Sequence, residues 1–98
     1  MEFNIKSNIN FIEEKIYQLE KITDQNHPYT RIVFSKEFYQ GRSWLENQFK
    51  SLGLKISTDE AGNLIGLLET NKKTNDIVII GSHIDTVPSG GRYDGIAG

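Results

Sequence analysis

The 98-residue sequence contains no cysteine. That excludes disulfides and thiolate metal sites, so any metal must be held by nitrogen and oxygen ligands. It has no basic excess either: eleven Lys and Arg stand against thirteen Asp and Glu, for a net charge of -2. Without a basic stripe, a nucleic-acid partner is not expected. Long apolar runs are missing too. The longest clean one is Ile77-Val78-Ile79-Ile80, far short of a membrane span, so no membrane partner is expected. The opening MEFNIKSNIN lacks the basic and then apolar layout of a signal peptide, which leaves the cytoplasm as the default compartment. The glycines from Gly90 to Gly95 are not followed by Gly-Lys-Ser/Thr and do not have GxGxxG spacing. A phosphate loop, and with it a nucleotide-binding domain, is therefore the weakest reading.

What is present is ordinary for a folded chain: 37% hydrophobic and 24% charged residues. The length suits one small domain or a piece of a larger one. From about Asn8 to Ile22, the residues Ile9, Ile12, Ile16, Leu19 and Ile22 recur at steps of three and four. That spacing predicts an amphipathic helix, capped by Ser7 or Asn8 and broken before Pro28. A second helix is predicted from about Lys36 to Leu52, with Ser35 as N-cap, Glu37 in the first turn and Gly53 at the exit. Gly41 lies inside it, at a propensity cost of about 1 kcal/mol. Three strands are expected next, at Leu54 to Thr58, Asn63 to Glu69 and Asp76 to Ser82. Asp59-Glu60-Ala61-Gly62 turns the first two into a hairpin. The third is apolar at every central position and should be covered on both faces. The fold class is α/β, two helices followed by three strands.

The chemistry lies in GSHIDTVPSGGRYDGIAG. His83 and Asp85 alternate on extended chain and so share a face at a strand end, where ligands gather in open α/β sheets. An imidazole is a common metal ligand, and a nearby carboxylate orients it through its second nitrogen. Asp94 follows eleven residues after His83, and the intervening glycines would let it swing back. The plainer alternative is a hydrogen-bonded surface pair at His83 and Asp85, with Arg92-Tyr93-Asp94-Gly95 an ordinary turn. Arg31 suits either an anionic substrate or a structural salt bridge. His27, before Pro28, reads as a loop residue.

The stretch GSHIDTVPSGGRYDG closely resembles the first metal motif of the dinuclear zinc aminoacylases, dipeptidases and related exopeptidases. It is most similar to the amidase branch of hydantoinase/carbamoylase enzymes. That branch includes N-carbamoyl-L-amino-acid hydrolases, allantoate amidohydrolases and β-ureidopropionases. Thr30-Arg31-Ile32-Val33-Phe34-Ser35, Trp44-Leu45 with Gly53-Leu54, and Asp59-Glu60-Ala61-Gly62-Asn63-Leu64 resemble further segments of the branch in the same order.

The resemblance implies that His83 ligates one metal, that Asp94 bridges two, and that Asp85 fixes the ring of His83. It also implies a cis peptide at Asp94-Gly95. The implied cofactors are two divalent metal ions, zinc first and manganese, cobalt or nickel as options. They would activate a water for attack on an amide or ureido carbonyl. A small ureido or acylamino-acid substrate and a homodimeric full enzyme are implied as partners. On this reading residues 1–98 are the N-terminal part of a larger zinc-exopeptidase-like catalytic domain. The catalytic base, the remaining ligands and a lid domain would lie outside it, and the isolated chain would be inactive. The substrate-reading residues are not among those matched. The alternative is a non-catalytic binding or assembly module derived from the same fold.

Overall fold

A computed structural model of the chain describes residues 5–97. Helix α1 spans Ile9–Glu20. Asn8 is its N-cap, in extended conformation, with its side-chain oxygen accepting from the Phe11 amide at 3.1 Å. Helix α2 spans Lys36–Ser51, and Ser35 caps it in the same way by accepting from Phe38 N at 3.1 Å. Glu37 in the first turn and Lys50 in the last complement the helix dipole. Gly53, at φ +74°, provides the left-handed exit that a residue with a Cβ would resist.

Strands β1 (Lys55–Thr58) and β2 (Leu64–Leu67) pair antiparallel, with Lys55 opposite Leu67 and Thr58 opposite Leu64. The connection is a tight turn. Gly62 N donates to Asp59 O, Asp59 N donates to Asn63 O, and Gly62 takes φ +88°. Asp59 also accepts from both the backbone and the side-chain amide of Asn63, each at 2.8 Å. These bonds hold the Asp59 carboxyl below the usual carboxylate range, the side-chain bond from Asn63 contributing most. Helix α2 packs on this hairpin at Gly66, where a Cβ would stand 2.8 Å from both Phe49 Cδ2 and Leu54 Cδ1.

The α/β character and the hairpin are as expected, but the third strand is not formed. Among the described residues the sheet has two strands, and residues 76–82 carry no strand pairing. Val78 is 91% exposed and Ile80 93% exposed. A run that is apolar at every position needs cover on both faces, and no described residue covers this one. The radius of gyration, 15.4 Å, exceeds the roughly 13 Å of a closed 100-residue domain.

Among the described residues Leu19 is the buried hydrophobic residue of the core, and it is accompanied by three buried polar residues: Thr30, Arg31 and Thr86. Burial of that kind is stable only with hydrogen bonds, and these three side chains make them across the chain. Among the described residues, no helix is long and apolar enough to cross a membrane.

Candidate metal-binding segment

Residues 29–31 run alongside residues 84–90 and form the frame of the site. Arg31 N donates to Thr86 Oγ1 at 2.9 Å, and Thr86 N donates back to Arg31 O at 2.8 Å. Ser89 N donates to Thr30 Oγ1 at 2.8 Å, and Gly90 N to Tyr29 O at 3.1 Å. Gly90 N also reaches Val87 O, closing a turn over Pro88 and Ser89 in which Ser89 has φ +51°. Arg92 anchors the far side of the loop: its Nε lies 2.9 Å from Glu20 Oε2 on α1, and its guanidinium lies over the Tyr17 and Tyr29 rings.

His83 and Asp85 extend from one end of this frame. His83 Nδ1 lies 2.9 Å from the Asp85 main-chain carbonyl and 3.4 Å from Asp85 Oδ1. The carbonyl can only accept, so in the neutral ring Nδ1 is the donor and Nε2 is the nitrogen left with a lone pair. The shorter contact is with the Asp85 carbonyl, and the carboxylate sits beyond an ordinary N–H···O length.

Asp94 lies at the other end, with Oδ2 accepting from Val87 N at 3.2 Å. Two glycines let the turn fold back. A Cβ on Gly90 would stand 2.5 Å from Asp94 Oδ2, and one on Gly95 would stand 2.6 Å from His83 Nδ1. Gly95 has φ +75°, and its carbonyl accepts from Ser82 Oγ. The Asp94–Gly95 turn therefore rests against the His83 ring. The Asp94–Gly95 peptide is trans, contrary to the cis bond the resemblance implies; no cis peptide occurs among the described residues. A non-proline cis bond costs about 3 kcal/mol and needs surroundings that impose it. The left-handed Gly95 makes the turn with a trans bond.

These donors suit a divalent cation of borderline hardness: an imidazole with a free Nε2, and carboxylates beside it. A complete site is not assembled. No group of three or more His, Asp or Glu that could hold a metal occurs among the described residues, whereas zinc sites use three or four protein ligands. A cleft of about 840 Å³ opens beside His83 and Asp85, lined also by Phe38, Arg42, Asn63 and Ile79.

Two other candidates fall outside the site. His27 is exposed and bonded through Nδ1 to Asp24 Oδ1 at 3.1 Å. Arg31 is 4% exposed, which removes it from an anionic substrate, and its hydrogen-bond partners are the carbonyls of Ile84, Leu19 and Ile22 instead of a carboxylate. Sequence reasoning missed Thr86 and the role of Thr30. Their one signal was two small hydroxyl residues flanking apolar positions, which carries no information about a partner more than fifty residues away.

No family model matches the chain, and no solved structure matches it. Curated proteins do. The chain is 36% identical over 69 residues to the allantoate amidohydrolase of Bacillus subtilis, covering 70% of this chain and 17% of that protein. It is 33% identical over 88 residues to the ureidoglycolate hydrolase of rice, covering 89% of the chain and 18% of the relative. It is 32% identical over 87 residues to the N-carbamoyl-L-amino-acid amidohydrolase of Paenarthrobacter aurescens, covering 89% and 21%. The chain thus spans about a fifth of the length of these relatives. Over that span it belongs to the carbamoylase and allantoate amidohydrolase family.

Proposed function

We propose that this chain supplies the first metal-binding segment of an amidohydrolase that cleaves linear ureido or carbamoyl amides. The observation that carries the reading is the state of His83. Its Nδ1 is committed to Asp85, its Nε2 is free, and Asp94–Gly95 is folded against the ring. The named activities of the relatives supply the substrate class: allantoate, ureidoglycolate and N-carbamoyl amino acids all carry the ureido group.

In this reading His83 and Asp94 would contribute ligands to two divalent ions, zinc in the first instance. Bound there, such ions would acidify a water and polarise the scissile carbonyl. The chain's own part is to present the His83 imidazole and the Asp94 carboxylate from the two ends of one hydrogen-bonded frame, with the Asp94–Gly95 turn folded back against the ring. The general base and the remaining ligands would be supplied by parts of such an enzyme that the matched fifth does not cover. Because no three-donor group forms among the described residues, the 98-residue chain alone should bind zinc weakly and turn over no substrate.

A chimaera provides the test, with this chain replacing the matching opening segment of the Bacillus relative. Metal-dependent release of ammonia from allantoate or an N-carbamoyl amino acid, lost in His83→Ala and in Asp94→Ala, is the expected result. A folded chimaera that stays inactive with zinc or manganese would sink the proposal and favour a non-catalytic module. Activity that survives His83→Ala would do the same.

A further inference from the structure

We infer that Arg31 is a positioning residue, whose buried guanidinium holds the Ile84 carbonyl and thereby sets where His83 and Asp85 stand. The role attached to those two residues rests on the metal-segment reading above; the positioning itself does not.

Arg31 reaches in two directions. Its Nη1 donates to Leu19 O at 3.2 Å and Ile22 O at 2.8 Å, at the C-terminal end of α1. Leu19 O lies in the last turn of α1 and also accepts from Ile22 N, and Ile22 O lies just past the helix end, near the negative pole of its dipole. Its Nε donates to Ile84 O at 2.7 Å. That carbonyl belongs to the single residue between His83 and Asp85, so the bond fixes the main chain from which both side chains project. Two residues on, the Arg31 backbone exchanges bonds with Thr86. The segment 84–86 is thus pinned at two successive points by one residue.

The guanidinium passes through a gap that only glycine leaves open. A Cβ at Gly41 of α2 would lie 2.9 Å from Arg31 Cδ and 3.3 Å from Nε. A glycine in mid-helix, costly by propensity, is thereby explained. Burial pulls the Arg31 pKa down, while the charges of Asp85 and Asp94 act against that pull. The buried cation is held by the neutral carbonyls of Ile84, Leu19 and Ile22, which fix its direction. The same charge could be glue for the core and nothing more. The two roles differ in whether His83 responds while the fold remains.

The test uses the 98-residue chain with ¹⁵N-labelled imidazoles at about pH 8.5, above the ordinary imidazole range. Long-range ¹H–¹⁵N spectra report which nitrogen of His83 carries the proton, His27 serves as internal control, and circular dichroism reports the fold. We expect Nδ1–H at His83 in the wild type. In Arg31→Met and in Gly41→Ala this should give way to a tautomer mixture, with His27 unmoved and helix content retained. Arg31→Lys, which can still donate to carbonyls, should restore most of the wild-type pattern.

A His83 signal identical to wild type in folded Arg31→Met or Gly41→Ala would overturn the inference. So would equal movement of His27, or loss of fold in Gly41→Ala as well as Arg31→Met, since either assigns Arg31 to the core alone. Zinc titration of the same samples separates the two readings. The dissociation constant should rise about tenfold in Arg31→Met, as for other residues that orient a metal ligand. If His83 responds to the substitutions but its Nε2 does not respond to zinc, the positioning stands and the metal reading falls.

Discussion

The Phe49 ring of α2 lies directly against Gly66 of β2, close enough that a Cβ on Gly66 would sit 2.8 Å from Phe49 Cδ2 and 3.2 Å from Cε2. This contact sets how closely the second helix approaches the hairpin. It also reverses what propensity would suggest. Valine outranks glycine in strands by up to about 1 kcal/mol, but here it would have to displace an aromatic ring and Leu54 together. Gly66→Val should destabilise the chain by about 1–3 kcal/mol. A lower urea midpoint at unchanged slope is the expected result, and a raised midpoint would contradict the packing.

The hairpin turn should set part of the acid response. Asp59 is held below the usual carboxylate range by Asn63, first through its side chain and then through its backbone. A carboxyl depressed in the folded state favours folding above its unfolded value of about 3.9. That contribution is lost as pH falls through the folded value. Asn63→Ala should therefore raise the Asp59 titration midpoint toward the ordinary value and flatten the acid limb of stability below about pH 4. Carboxyl ¹³C shifts followed against pH would check it.

Ile77 to Ile80 form the opposite kind of surface, an uncharged apolar run exposed along its length. Such a segment offers an unpaired backbone to other chains and promotes association. Val78→Lys should leave the unfolding midpoint nearly unchanged, within about 0.5 kcal/mol, while raising solubility and the monomer fraction in sedimentation. A large loss of stability would instead mean that Val78 is buried.

Local signals in the sequence were the reliable ones. Asn8, Ser35 and Gly53 mark helix ends through bonds made within three or four residues, and each lies where its chemistry predicts. The Asp59 to Asn63 turn is legible for the same reason. The third strand was misjudged because an apolar run states a need for neighbours without supplying them. Gly41 was read as a propensity cost and Gly66 drew no reading, although each leaves room for a side chain that arrives from elsewhere, Arg31 in one case and Phe49 in the other. For the candidate site, the motif pointed to His83, Asp85 and Asp94. It could not show that the shorter contact to the ring is from the Asp85 carbonyl, since that depends on how residues 29–31 pin the segment.

The last prediction separates the two oxygens of Asp85. Its main-chain carbonyl is 2.9 Å from His83 Nδ1, and its carboxylate is 3.4 Å away. If the carbonyl sets the tautomer, Asp85→Asn removes the charge but keeps the acceptor that matters. His83 should then retain its Nδ1 proton at about pH 8.5, where the free imidazole is neutral. If the carboxylate were in control, the asparagine, whose amide can itself donate, would allow the proton to shift to Nε2. Imidazole ¹⁵N shifts distinguish the two outcomes directly. A proton that moves to Nε2 in Asp85→Asn would transfer the orienting role from the backbone to the side chain.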